Sequence, residues 1–264
     1  MSDIAVLVPT YKPGDYLERC LDSLENQTLS RSEFKVYLVL NGSEGSYKVY
    51  IQTVLQNYHF NYEFFDIKEA GVSNARNFLI ENSTEDFIVF LDDDDLISQN
   101  YLAELRSVTS ESFMGITNIV NFEKDLSSLK SNYIGNSFLK LKSIETSKTK
   151  SRKYFSSPVA KMLHRKMIGE TRFNTNLSVG EDSLFMTEIS NKIKGIKKTD
   201  NDVLYYVCER EGSATRSRID KPKEIKRVAY LTYLYSKMLF SPRSDKTFLL
   251  TRVLATVRHL KKIF

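Results

Sequence analysis

Short, continuously apolar runs alternate along this chain with segments whose apolar residues recur at helical spacing. Residues 4–9, IAVLVP, are apolar throughout and stop at a proline, the pattern of a strand buried on both faces. Pro13-Gly14-Asp15 then opens a segment in which Leu17, Cys20, Leu21 and Leu24 share one helical face. A second strand over 34–40 runs into Asn41-Gly42-Ser43, a tripeptide suited to positive φ. Helix, strand and helix are predicted over 46–57, 62–67 and 71–82. Residues 86–91, DFIVFL, form another buried strand that empties into Asp92-Asp93-Asp94-Asp95, and a helix over 98–107 follows.

This alternation implies βαβ units and an α/β fold built on a mostly parallel sheet flanked by helices. Ligands of such sheets bind at the carboxyl ends of the strands. Asn41 and the acidic run both fall at such ends, so one shared site is expected. Beyond the apolar segment 113–122 the pattern fades: residues 123–157 are rich in Ser and Lys and predict a long loop or lid. Strands are expected again over 159–168 and 202–208, and helices over 221–240 and 245–263, with no internal repeat.

Composition adds a soluble fold, with 41% hydrophobic and 27% charged residues among 264. No run reaches the roughly 18 apolar residues of a membrane span, and the start, MSDIAVLVPTYKPGD, lacks a basic region and cleavage site. Cys20 and Cys208 are too few for a disulfide framework. The expectation is a cytoplasmic chain with reduced thiols.

Charge is uneven: residues 216–264 hold 13 Lys/Arg against 3 Asp/Glu, and residues 1–215 hold 25 against 30. A basic tail on an acidic body points to an anionic membrane surface on the inner face of the membrane rather than to nucleic acid. In the last segment Leu250, Val253, Leu254, Val257, Leu260 and Phe264 fall on one side, with Arg252, Arg258, Lys261 and Lys262 flanking the polar side. That pattern over 245–264 fits an in-plane helix on lipid, a homodimer contact, or docking on the body.

Four adjacent carboxylates repel one another, and a cation relieves them. Oxygen-only ligands favour Mg²⁺ or Mn²⁺, and no His or Cys stands at zinc-ligand spacing. In an extended segment Asp92 and Asp94 share one side. Asp95 is placed to cap the following helix.

The segments VPTYKPGDYL, LDSLENQT, AGVSNARNFLI, IVFLDDDDLI and VGEDSLF, in this order, resemble the family 2 glycosyltransferases of GT-A fold. Those are nucleotide-sugar-dependent and typically inverting enzymes, and this chain looks like the bacterial surface-polysaccharide type. The resemblance implies a catalytic domain over 1–215, with a nucleotide-binding half (1–100) and an acceptor half (101–215), and a basic helical extension over 216–264. By it Pro9, Thr10 and Tyr11 line the nucleotide pocket. Asn41 stands where the family usually has the second of two aspartates, and Leu40 replaces the first. Asn offers both a donor and an acceptor to a base edge, and Asn41-Gly42 is equally a turn.

The resemblance sets Arg76 against the acidic loop or the diphosphate, Asp94 and Asp92 on the metal, and Asp93 toward the ribose. Asp182 matches the general base, which takes a proton from the attacking acceptor hydroxyl, with Glu181 as its rival. His164 and Arg165 are placed toward the acceptor or the donor phosphates, and Arg216 and Arg218 in a cover over the diphosphate. The implied partners are a UDP-sugar donor and a glycan or polyprenyl-linked saccharide acceptor. Two alternatives stand beside this: a nucleotidyltransferase, although the turn after the first strand has only Gly14, and a degenerate binding module, motivated by Leu40 and Asn41.

Overall fold

Every residue of β1 (Ile4–Thr10) is buried, as its unbroken apolar run requires. The computed structural model describes residues 3–42, 45–209, 221–242 and 244–258. β1 lies parallel and in register between β2 (Phe34–Asn41) and β4 (Phe87–Phe90), and β3 (Asn61–Ile67) pairs parallel on the far side of β2. The helices α1 (Tyr16–Glu25), α2 (Tyr47–Leu55) and α3 (Val72–Asn82) supply the crossovers. α1 buries Leu17, Cys20, Leu21 and Leu24, the face predicted from their spacing.

Past β4 come β5 (Leu96–Ile97), α4 (Tyr101–Val108), β6 (Phe113–Ile116), β7 (Asn118–Phe122), β8 (Lys130–Ser131), α5 (Gly135–Phe138) and β9 (Ile144–Glu145). β10 (Lys161–His164), α6 (Arg165–Ile168), α7 (Glu181–Ile189), β11 (Gly195–Lys198) and β12 (Leu204–Cys208) follow. Among the described residues the main sheet has eight strands in the order β3-β2-β1-β4-β10-β6-β11-β9. It is mixed: β10 runs antiparallel between β4 and β6, and β9 antiparallel on the edge of β11. A second sheet, β5-β12-β7-β8, stands beside it.

The apolar segment 113–122 is divided between the two sheets. The division falls at Thr117, fully buried, whose backbone N–H donates to the Ala160 carbonyl at 3.2 Å. The strand expected over 159–168 ends at His164, where the chain turns into α6. Arg165 causes the turn by donating to the carbonyls of Glu85 (2.7 Å) and Ile80 (3.1 Å) and to Ser83 Oγ (2.9 Å).

Residues 123–133 form an exposed loop with the short β8, as expected, but 134–157 are tied to the body by buried anchors and are not a free loop or lid. Phe138 and Phe155 are wholly buried, Tyr154 nearly so, and Tyr154 donates to the Thr117 carbonyl at 2.6 Å. These anchors are too sparse to show a period, because β8, α5 and β9 are two to four residues long. Gly135 shows how close this segment lies, since a Cβ there would meet the Ile119 carbonyl of β7 at 2.0 Å.

Two helices, α8 (Lys221–Met238) and α9 (Lys246–Arg258), dock on this body. Leu231 and Tyr235 of α8 pack with Leu177 and Leu184, and Phe248 of α9 meets the Phe155 ring edge-on at 5.2 Å. Arg252, expected on the outer polar side of its helix, instead points inward. It is buried and donates to Ser156 Oγ (3.0 Å) and to the carbonyls of Arg152 (3.2 Å) and Phe155. Leu250, Leu254 and Val257 stay exposed on the opposite face, at 52%, 57% and 43%. Leu260, Lys261, Lys262 and Phe264 lie outside the described residues, and no described helix is long and apolar enough to cross a membrane.

Candidate functional site

Because β1, β2 and β4 are parallel and in register, their carboxyl ends open along one edge of the sheet. A cavity of about 1000 Å³ lies there, with Pro9, Thr10, Tyr11, Asn41 and residues 92–95 in its wall. Thr10 is buried and its Oγ1 donates to Asp93 Oδ2 at 2.5 Å. Asn41 donates from Nδ2 to the Thr10 carbonyl (2.8 Å) and accepts from the Gly71 N–H at Oδ1 (3.0 Å). Both ends of its amide therefore brace the protein, tying β2 to β1 and to the start of α3. Gly42, at φ +61°, lets the loops touch: a Cβ there would lie 2.4 Å from that of Ala70. Tyr11 is half exposed at the mouth, with the Lys12 ammonium over its ring at 5.2 Å.

The acidic run alternates. Asp93 and Asp95 are buried and Asp92 and Asp94 partly exposed, but the run is a turn and not the expected extended segment: the Asp95 N–H donates to the Asp92 carbonyl at 3.1 Å, and all four residues line the cavity. Asp95 is not a helix cap, because β5 intervenes and α4 begins only at Tyr101. Its Oδ1 accepts the Cys208 N–H at 2.8 Å, fastening the run to β12, and burial pushes its carboxyl well above the usual carboxylate range.

Arg76 is the hub of the site. Its position on α3 carries the buried guanidinium between two elements: Nη2 donates to Asp92 Oδ1 (2.8 Å) and Nη1 to Asp182 Oδ1 (2.6 Å). The ring of Phe173 lies 5.4 Å from the guanidinium carbon and stacks on Phe185 at 3.9 Å, forming a rigid floor. Asn77, the next residue of the same motif, holds that floor by donating to the Phe173 carbonyl (2.9 Å) and accepting its N–H (2.7 Å). Burial opposes the charge on Arg76, but Asp182 and Asp92 outweigh it and raise its pKa.

Asp182 and Glu181 begin α7 and face the same cavity. Burial lifts the Asp182 carboxyl above its usual range against the pull of Arg76. Burial and then the Asp182 charge lift Glu181 as well, and Glu181 Oε2 is buried with no hydrogen-bond partner among the described residues.

His164 and Arg165 do not reach this site. β10 is antiparallel to β4, so His164 pairs with Phe87 at the opposite edge of the sheet. Its Nδ1 accepts the Lys166 N–H at 3.1 Å, and its ring packs edge-on to Phe87. The same reversal brings Lys161 to the cavity side, a residue that the sequence pattern did not single out. Its buried ammonium donates to the carbonyls of Val159 (2.7 Å) and Ser157, and burial pulls its pKa down to about 7. Arg216 and Arg218 lie outside the described residues.

The remaining wall comes from Asn121, Asn132, Tyr133, Val207 and Glu209. Asn121, Val207 and Glu209 sit at the carboxyl ends of β7 and β12, which are parallel. The rule that located Asp92 also applies to them; what was lacking was the pairing of these two strands.

No group of three His, Cys, Asp or Glu side chains converges on a metal among the described residues. The partly exposed Asp92 and Asp94, both in the cavity wall, nevertheless fit Mg²⁺ or Mn²⁺, which bind through one or two carboxylates and complete their shell with substrate phosphates.

The parallel half-sheet, the acidic strand end and the cavity between them define an α/β protein with its candidate site at the strand carboxyl ends. Residues 5–171 match the sequence profile of glycosyl transferase family 2, and the chain belongs to that family. It is 24% identical over 216 residues to the poly(ribitol-phosphate) beta-glucosyltransferase of Bacillus spizizenii, covering 79% of this chain and 33% of that one. The chain thus spans about a third of that relative. Its fold is similar to that of Staphylococcus aureus TarS 1–349 in complex with UDP-GlcNAc, with a TM-score of 0.78, 20% identity, and 97% of this chain and 72% of that one covered. The mannosyltransferase PcManGT of Pyrobaculum calidifontis, in complex with GDP-Man and Mn²⁺, matches with a TM-score of 0.64 and 15% identity over 95% of this chain and 69% of that one.

Proposed function

We propose that the chain is a metal-dependent, inverting glycosyltransferase that moves a sugar from a UDP-sugar to a hydroxyl of a polyol-phosphate polymer on its way to the bacterial surface. The observation that carries this reading is the Arg76 bridge, which joins a carboxylate of the acidic run to a carboxylate of α7 across one cavity. The similarity to a poly(ribitol-phosphate) glucosyltransferase supports the acceptor class, and a TarS structure holding UDP-GlcNAc supports the donor class.

Arg76 engages Oδ1 of Asp182, which fixes the carboxylate and favours its ionised form in a buried place. Oδ2 is then the oxygen that takes the proton as the acceptor hydroxyl attacks the anomeric carbon. The bond between that carbon and the diphosphate oxygen breaks on the opposite face, and its electron pair leaves with the UDP. No enzyme nucleophile is required. A divalent cation held by Asp94 and Asp92 would supply positive charge to the leaving diphosphate. Tyr11 offers its exposed ring to the base, while Thr10 and Asn41 shape the pocket through its backbone and the Asp93 carboxylate is held beside them. Glu181, next to Asp182 and above its usual pKa, serves as a proton-bearing neighbour of the base.

In this reading residues 1–215 carry the catalysis and 216–264 adapt it to a surface. The exposed Leu250, Leu254 and Val257, on a helix that also exposes Lys246 and Arg258, form a face for the anionic inner leaflet, where the acceptor is built. Family membership sets the nucleotidyltransferase alternative aside. A UDP-release assay with UDP-glucose or UDP-GlcNAc, a ribitol-phosphate oligomer and Mn²⁺ tests the proposal. Acceptor-dependent release is expected. No release and no Mn²⁺-dependent UDP binding would identify a degenerate binding module instead.

A further inference from the structure

A second cavity, of about 420 Å³, is walled by Lys140, Lys142, Lys150 and Lys153, with Asn136 and Ser137 of α5 at one side. Glu145 is its single acidic lining residue, and that carboxylate is buried and already accepts the Ser147 N–H at 2.8 Å. Among the described residues no carboxylate forms an ion pair with Lys140, Lys142 or Lys150, and all three are exposed. Four lysines around a concavity with one carboxylate leave a net positive potential there. Such a place attracts an anion, and ammonium groups suit phosphate as compact point charges.

The cleft is joined to the donor cavity. Lys153 donates to the Tyr133 carbonyl at 2.7 Å and sits over the Tyr133 ring at 5.2 Å, and the same Tyr133, 58% exposed, lines the donor cavity. Asn132 and Ile134 face one cavity, and Asn136 and Ser137, a few residues on, face the other. A chain of alternating hydroxyl-bearing units and phosphodiesters can therefore lie across Tyr133 with a hydroxyl in the first cavity and a phosphate in the second.

Resting on the acceptor class proposed above, we infer that the lysine cleft is an acceptor subsite, which holds a phosphodiester of the polymer adjacent to the unit being glycosylated. It makes the segment 139–153 the part of the enzyme that selects a phosphate-bearing acceptor over a neutral glycan.

The test measures binding of an end-labelled ribitol-phosphate oligomer by fluorescence anisotropy to the full chain and to its Lys140→Gln/Lys142→Gln/Lys150→Gln variant. UDP affinity, measured in parallel by calorimetry, reports an intact donor site. The triple variant should bind the oligomer at least about tenfold more weakly, with a shallower dependence on salt and unchanged UDP affinity. Equal oligomer binding by both proteins would overturn the subsite and leave the acceptor class standing. A wild-type chain that binds UDP but not the oligomer would overturn the acceptor class, and the subsite with it. Inorganic phosphate that competes as well, per phosphate, as the oligomer would identify a lone anion site and overturn chain binding.

Discussion

The proposed donor half and the proposed acceptor wall meet at one cavity but are built in opposite ways. On one side, the almost wholly buried parallel strands β1, β2 and β4 carry Thr10 at the end of β1, Asn41 at the end of β2 and Asp92 just after β4. In the acceptor wall, strands of two to five residues and short turns carry Asn121, Asn132 and Tyr133, fixed by a few aromatic anchors. A regular frame suits groups that, in the proposed function, always meet the same nucleotide diphosphate. A wall of short pieces lets the acceptor side vary without disturbing that frame, since surface connections tolerate change better than the elements they join.

If the donor half owes its geometry to the acidic run and its clamp, damage there is large and indifferent to the acceptor. Asp94→Asn is expected to lower transfer by about a hundredfold or more and to weaken the response of UDP binding to Mn²⁺. Calorimetry with and without Mn²⁺ checks this, and chelation of the cation should mimic the substitution. Arg76→Ala leaves Asp92 and Asp182 facing each other without their shared cation. Breaking such a buried pair costs about 3 kcal/mol, so thermal unfolding should shift down by roughly 6–12 °C as well as abolishing transfer. Arg76→Lys should restore part of the stability without the two-pronged contact.

Changes in the outer helices leave donor chemistry intact. Leu250→Ser/Leu254→Ser should reduce co-sedimentation with vesicles containing phosphatidylglycerol several-fold, while UDP affinity stays unchanged. The smallest effect belongs to Glu188 of α7, whose carboxyl burial pushes up to about 7. Its folded form holds a proton that the unfolded chain loses near pH 4.5, so the stability it contributes is full below that pH and is lost as pH rises through about 7. Glu188→Gln should therefore raise the melting temperature by a few degrees at pH 8 and leave it unchanged at pH 4.

The same contrast explains what was legible in the sequence. β1 and β4 announce themselves by unbroken apolar runs and β2 by a run broken only at Lys35, and the ends of β2 and β4 pointed by pattern to Asn41 and the acidic run, whereas Thr10 was reached through the resemblance. The burial of Asp93 and Asp95 against Asp92 and Asp94 arises in a turn, not in the extended chain that the sequence suggested. Asp182 was legible only through a resemblance, because a polar turn before a helix is common. The bridge from Arg76 to Asp182 joins residues 106 positions apart, and no local period encodes it. Asp95 and Arg252 were misplaced for a related reason: partners distant in sequence, the Cys208 N–H and the Phe155 carbonyl, draw them inward. His164 and Arg165 were misplaced because the direction of β10 reverses which end of a strand faces the ligand.

The central claim is that one carboxylate on α7, held by Arg76, takes the acceptor proton at a donor site built by the acidic run. Its most direct test is the steady-state rate of UDP release by Asp182→Asn in the presence of Mn²⁺ and the oligomer acceptor, with UDP affinity measured on the same protein. The account predicts a fall in kcat of about 10²–10⁴-fold with UDP affinity little changed. Transfer at close to the wild-type rate would contradict it.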